Sequence, residues 1–150
     1  MAGGKGAVVN SRAKGVRGEL EVAHLFQKYG YKAERGVQHD GRSGHADVEG
    51  VPYIWIEVKR DEDLNLEQAM LQAERDNSAR RRNTGEILLP VVVHKRNRMP
   101  WYCTMRLIDF LELFGVAPFE LEIAGNGKVT MLFDDWVKVF IKYEVERRER

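Results

Sequence analysis

Ala46 to Arg60 reads ADVEGVPYIWIEVKR, and its middle holds a contradiction. Tyr53-Ile54-Trp55-Ile56 is apolar on both sides of an extended chain, so it belongs to a strand inside the protein. The same strand continues through Glu57 and Lys59, which alternation places on one face. Trp55 precedes Glu57 on that face, while Ile54, Ile56 and Val58 line the other. Polarity therefore enters only at the C-terminal end of the strand, where open α/β sheets carry their ligand sites. A strand running out into solvent would explain Glu57 and Lys59 as well. Asp47 stands across the turn Glu49-Gly50-Val51-Pro52, so Ala46-Asp47-Val48 and Tyr53 to Lys59 read as the arms of a hairpin.

Upstream of the hairpin, Val22, Leu25, Phe26 and Tyr29 recur at helical spacing within Val16 to Tyr29, and Gly30 suits the C-cap. Tyr31 to Val37 reads as a short strand, and Gln38 to Gly44 as a polar loop. Downstream, a helix is expected from Leu66 to Arg81, with Asn65 as N-cap and Leu66, Ala69, Met70 and Ala73 as its apolar stripe. Ile87 to Val93 is the kind of run found in a strand covered on both faces. Lys95 to Met99 is a basic turn into a strand over Trp101 to Met105, and Arg106 to Phe114 reads as a helix stopped by Gly115. Val129, Met131 and Phe133 alternate as a strand. Asp134 or Asp135 is expected to cap a last helix that buries Trp136, Val139, Phe140 and Tyr143. The order α-β-β-β-α-β-β-α implies one α/β domain, with a mixed central β-sheet flanked by helices on both faces. Residues 1–14, Gly-rich and basic, read as a flexible tail, leaving residues 15–150 as the domain.

The 150 residues suffice for one core, and 43% apolar with 31% charged residues indicates a folded chain. No apolar run approaches the roughly 20 residues that span a bilayer. The first residues lack a secretory signal's apolar stretch. Cys103 is a single cysteine, and no Cys/His zinc pattern is present. A cytoplasmic protein is expected, in a bacterial, archaeal or phage-infected host cell. Net charge is +1, but Arg80-Arg81-Arg82, His94-Lys95-Arg96-Asn97-Arg98 and Arg12, Lys14 and Arg17 are dense basic clusters. Such clusters attract phosphate or simply keep a surface soluble.

Glu19 lies three and seven residues before Val22 and Phe26, at the edge of the first helix's apolar stripe. It is either a first-turn charge favoured by the helix dipole or an inward-pointing acid. In the second case Glu19, Asp47 and Glu57 converge beside Lys59. Three buried acids without compensation are costly. A divalent cation removes the conflict, and hard oxygen donors suit Mg²⁺. Glu57 and Lys59 lie roughly 6 to 7 Å apart at Cα. Carboxylates can thus hold a metal while the ammonium serves an attacking water or a phosphoryl oxygen.

DVEGVPYIWIEVKR resembles the metal site of the PD-(D/E)xK nuclease superfamily, with Asp47 as the first acid and Glu57-Val58-Lys59 as the ExK. GVRGELEVAHLFQKYGYKAER resembles the opening helix of the archaeal and phage Holliday-junction resolvase branch. The likeness covers about Gly15 to Arg82. It implies a restriction-endonuclease-like fold, Mg²⁺ with Mn²⁺ as a substitute, and a homodimer. It also implies metal ligation by Glu19, Asp47 and Glu57 and a catalytic role for Lys59. Arg17, Arg35 and Ser43 fall where the resolvases carry phosphate-contacting or catalytic groups. The proline that usually precedes the first acid is replaced here by His45-Ala46.

Gln68 and Gln72 lie on the side of the second helix that can meet such a site, and support it in some nuclease branches. His24, His39 and His45 read as surface or loop residues, Cys103 as a small core residue, and Asp134-Asp135 as a helix start. The expected function is metal-dependent cleavage of DNA, chiefly of four-way junctions. Arg80, Arg81, Arg82, Lys95, Arg96 and Arg98 are the expected further phosphate contacts. Two alternatives stand beside it: a repair or restriction-like nuclease acting on another DNA structure, and a catalytically silent DNA-binding protein of the same fold.

Overall fold

The structure is a computed structural model that describes residues 3–36 and 45–149. Its centre is the strand β3 (Ile54–Arg60), buried from Ile54 to Val58 and opening to solvent only at Lys59 and Arg60. β2 (Val48–Glu49) pairs with it antiparallel, Val48 opposite Ile56, and β1 (Glu34–Arg35) pairs antiparallel with β2. Gly50 turns this hairpin at φ 95°, and a Cβ there would strike the Lys32 carbonyl. Glycine is therefore required where β2 and β3 fold against the chain entering β1.

From β3 the chain crosses through α2 (Leu66–Thr84) to β4 (Leu89–Lys95), which pairs parallel with β3. β5 (Tyr102–Arg106) and β6 (Lys128–Leu132) follow antiparallel, so the sheet runs β1-β2-β3-β4-β5-β6 with β3–β4 as its parallel pair. α1 (Gly3–Lys28) precedes the sheet, α3 (Leu107–Leu113) follows β5, a 3₁₀ turn spans Pro118–Leu121, and α4 (Phe133–Arg148) closes the chain. This is the expected mixed sheet flanked by helices.

Side-chain alternation divides the core. On one face Ile54, Ile56, Val58, Val91 and Val93 pack with Val22 and Phe26 of α1 and with Trp136, Val137 and Phe140 of α4. Cys103 belongs to this layer and is fully buried. On the other face Trp55 and Val92 pack against Ala69, Met70 and Ala73 of α2. Each large apolar side chain so buried contributes about 1.5–3 kcal/mol. Small residues on α2 let the helix approach the sheet closely. Gly18 does the same for α1, where a Cβ would already be in contact with Val58, Arg60 and Trp101.

The elements downstream of the hairpin fall close to their expected positions. Asn65 caps α2, its side chain accepting from the Gln68 amide at 3.1 Å. Three local readings change. α1 begins at Gly3 rather than Val16, so the segment read as a tail continues the helix. Glycines there weaken the helical signal without stopping it, and no proline intervenes. Neither Asp134 nor Asp135 caps α4. Leu132 occupies the N-cap without a side-chain bond, and both acids lie in the first turn, where the helix dipole favours them. The strand expected from Tyr31 narrows to Glu34–Arg35. Val37, Ser43 and the loop read over Gln38 to Gly44 lie outside the described residues.

Candidate active site

Asp47 is held by the hairpin's own backbone. Its amide donates to the Ile56 carbonyl at 3.0 Å, and its carbonyl accepts from the Gly36 amide at 2.9 Å. Its carboxylate accepts from the Val58 amide at 2.8 Å, which aims it along β3. There it meets Glu57, a carboxylate only 5% exposed. Burial is the main cause that raises the pKa of both acids. Glu19 adds to it at Asp47 and Asp47 adds to it at Glu57, while Lys59 opposes it at both and the Val58 amide opposes it at Asp47. Largely shielded from water and set beside each other, the two carboxyl groups hold a proton more tightly than isolated acids.

Lys59 supplies the neighbouring charge. Its Nζ lies 3.7 Å from Glu57 Oε1 and donates to Gln72 Oε1 at 3.0 Å. Gln72 is thus brought to the site, as its helical face allows. Gln68 is exposed and lines a cavity of about 460 Å³ together with Lys59, Gln72 and Arg75.

Asp76, on the helix turn after Gln72, raises the Glu57 pKa by its charge. One turn further, Arg80 lies 3.6 Å from Glu49 Oε1. Residues 72, 76 and 80 are four apart and share one helical face. That stripe of α2 faces Lys59, Glu57 and Glu49 in turn. Asp76 was not singled out in the sequence, although its spacing from Gln72 carries the signal.

Glu19 lies close enough to Asp47 to act on its charge, but its carboxylate accepts from Arg35 Nε at 2.5 Å. Arg35 therefore reaches the site through Glu19. Among the described residues, no group of three or more His, Cys, Asp and Glu side chains is arranged to hold a metal ion. The donor chemistry still suits a hard cation. Glu57 is buried and Asp47 half-buried, the two press on each other, and Lys59 is a partial counter-charge. Oxygen donors left short of positive charge are what Mg²⁺ satisfies.

The basic residues separate into engaged and open groups. Arg80 is 2.9 Å from Glu86 as well as beside Glu49. Lys95 sits over the Trp101 ring at 6.0 Å from its centroid. Arg17, Arg81, Arg82, Arg96 and Arg98 are exposed. Parallel pairing sets Lys59 beside His94 and Arg60 beside Lys95, so the basic turn after β4 emerges at the same end of the sheet as Lys59. Arg60 is paired at 2.9 Å with Glu21, which also accepts from the Trp101 indole at 3.2 Å.

A family model described as "Phage putative PDDEXK endonuclease" matches residues 10–139, which includes every residue of this site. The chain belongs to this family. It is thereby a member of the PD-(D/E)xK superfamily, whose general class is nuclease, and the mixed α/β sheet is consistent with that membership. No curated protein and no solved structure matches the chain. Among the described residues, no helix of this PDDEXK family member is long and apolar enough to cross a membrane.

Proposed function

We propose that this PDDEXK family member is a metal-dependent, structure-selective DNA endonuclease that hydrolyses phosphodiesters at four-way junctions. The observation that carries the reading is the buried Glu57 near the end of β3 beside the half-buried Asp47, with Lys59 two residues on at 3.7 Å from Glu57. Asp47, Glu57 and Glu19, now paired with Arg35, are the carboxylates that would hold Mg²⁺ or Mn²⁺. The ion, when bound, supplies Lewis acidity and a more acidic water.

The protein's own groups do the positioning. Val58 fixes the direction of Asp47 by its amide, and Gln72 fixes Lys59 by accepting from its Nζ. The Lys59 ammonium can then donate to a phosphoryl oxygen whose charge grows as the bond to water forms. Arg81, Arg82, Arg96 and Arg98, with Arg17 and Ser43, are proposed to contact phosphates. Such contacts read backbone placement and DNA shape rather than base sequence. A homodimer would present two such sites to the crossing strands of a junction. In this reading the protein works in the cytoplasm.

Labelled four-way junction, flap, duplex and single-stranded DNA, each with and without Mg²⁺, test the proposal. Paired nicks in opposing strands of the junction, dependent on metal, are expected. Cleavage of duplex as fast as junction at every salt concentration would remove the junction assignment and leave a repair or restriction-like nuclease. Absence of cleavage on every substrate would remove the enzymatic reading.

A further inference from the structure

α2 packs over β3 and β4 and reaches β5 and β6 at Arg106 and Lys128 through Glu67 and Glu74, while at the other end of β5 and β6 the side chains on that face keep solvent exposure. Alternation puts Thr130 and Leu132 of β6 on this face, opposite Thr104 and Tyr102, and both are exposed. The neighbouring positions are filled by two rings. His94 and Tyr102 are register partners on β4 and β5 and stack with centroids 6.0 Å apart and planes within 22°. The imidazole is fixed from behind, since His94 Nε2 is 2.8 Å from Thr104 Oγ1, which in turn is 2.7 Å from Thr130 Oγ1.

These rings wall a cavity of about 350 Å³ together with Leu64, Leu66 and the half-exposed Met99. Arg96 is the charged side chain of its lining among the described residues. Burial, with the nearby Arg96 charge, pulls the His94 pKa down to about 4, so the ring is neutral at physiological pH. A neutral ring, a phenol and aliphatic side chains do not suit a phosphate. They suit a flat, weakly polar group with hydrogen-bond acceptors along one edge, which the Arg96 guanidinium can meet.

The cavity's place in the sheet says which group that is. His94 is the register partner of Lys59, and Tyr102 is the register partner of His94. Strands lie about 4.8 Å apart, so Tyr102 is roughly 10 Å from Lys59 across the sheet. Leu64 belongs both to this cavity and to the one that Lys59 lines. A DNA strand with its phosphate at Lys59 would pass Leu64 and bring a neighbouring base over the rings. Open sheet faces that carry aromatic residues bind unpaired bases by stacking, with little sequence preference.

We propose that the His94–Tyr102 face is a stacking site for an unpaired nucleobase next to the cleaved phosphate. It gives the enzyme a preference for DNA that offers such a base: a gap, a flap or the opened centre of a branch. This rests on the endonuclease reading above and names the substrate feature that reading left open.

The test uses the full-length protein in metal-free buffer, with a duplex whose short single-stranded gap holds 2-aminopurine and the same duplex fully paired. Wild-type protein should quench the unpaired 2-aminopurine as the base stacks. Tyr102→Leu should lose that quenching and bind the gapped DNA about tenfold more weakly, with paired duplex changed by less than about twofold. Tyr102→Phe should restore both. Unchanged quenching in Tyr102→Leu, or an equal loss on both DNAs with the circular dichroism intact, overturns the proposal. If Tyr102→Leu does not fold, Met99→Ala at its exposed position decides. Partial loss of quenching supports the site, and wild-type quenching and affinity overturn it. Wild-type protein that cleaves DNA with Mg²⁺ but never quenches the probe refutes the stacking site alone. Protein that neither binds nor cleaves refutes the endonuclease reading with it.

Discussion

Arg106 is the perturbation with the widest expected reach. It is 4% exposed at the end of β5 and donates to Glu67, Glu74 and the Asn126 carbonyl at distances between 2.7 and 3.3 Å. Glu67 and Glu74 are seven apart, two turns along α2, so one guanidinium ties that stripe of the helix to the sheet. The other stripe carries Gln72 and Asp76 toward the site. Hydrogen bonds to charged groups contribute about 1.5–3 kcal/mol each when a buried partner is lost. Full loss does not apply here, because the Glu67 and Glu74 side chains are 43% and 37% exposed and regain water. The Asn126 carbonyl and the tight fit around the guanidinium remain as costs. Arg106→Met should therefore destabilise the fold by about 3 kcal/mol, less than the upper end for a broken buried pair. Urea unfolding, followed by circular dichroism, measures this. In Glu74→Gln the loss on adding Arg106→Met should be at least about 1 kcal/mol smaller, because the two residues share one interaction. A change below about 1 kcal/mol for Arg106→Met would refute the argument that this residue clamps α2.

Glu57→Gln or Asp47→Asn should abolish metal-dependent cleavage while DNA affinity stays equal or rises, because a charge that repels phosphate is removed; cleavage and gel-shift assays on one DNA check this. Lys59→Ala should lower the cleavage rate by at least about a hundredfold while metal affinity changes far less, and Gln72→Ala should lower it by a smaller factor, both read from single-turnover rates and metal titrations. Asp109→Asn should stabilise the protein at high pH. Burial, and then Glu112 and Glu74, raise the Asp109 pKa to about 6 against the opposing Arg106. A folded-state pKa above the unfolded value means that ionisation costs stability as pH climbs from about 4 through 6, so the gain should be about 1 kcal/mol at pH 8 after solvent screening and vanish near pH 4. Replacing Arg81 and Arg82 by Ala should weaken DNA binding across sequences and reduce the slope of affinity against salt by about 1 to 2.

The residues that set the hairpin and β3 were legible because both signals are local. Alternation places Glu57 and Lys59, and the turn at Gly50 places Asp47. The cap at Asn65 and the apolar stripe of α2 were legible for the same reason. What the sequence could not supply depends on rotation and distance. Glu19 was readable as an acid at the edge of a helical stripe, but not that Arg35 would hold it from β1. Asp76 faces Glu57 only because Ala69, Met70 and Ala73 fix the roll of α2 on Trp55 and Val92. Likewise Leu132, with no capping side chain, starts α4 where two aspartates offered the stronger local signal, because Phe133 and Trp136 are drawn into the core.

The sheet ends at β6, whose outer edge pairs with no strand among the described residues. Unpaired edges invite another chain to extend the ladder. Here the first residue of the edge, Lys128, is tied to Glu67 of α2. A strand adding at β6 would have to dehydrate that ion pair before its first backbone bonds formed, and would gain only the alternating half-exposed side chains of a five-residue partner. The contact that helps seat α2 thus also guards the border of the sheet, so that its last strand does not become a template for further copies of the chain.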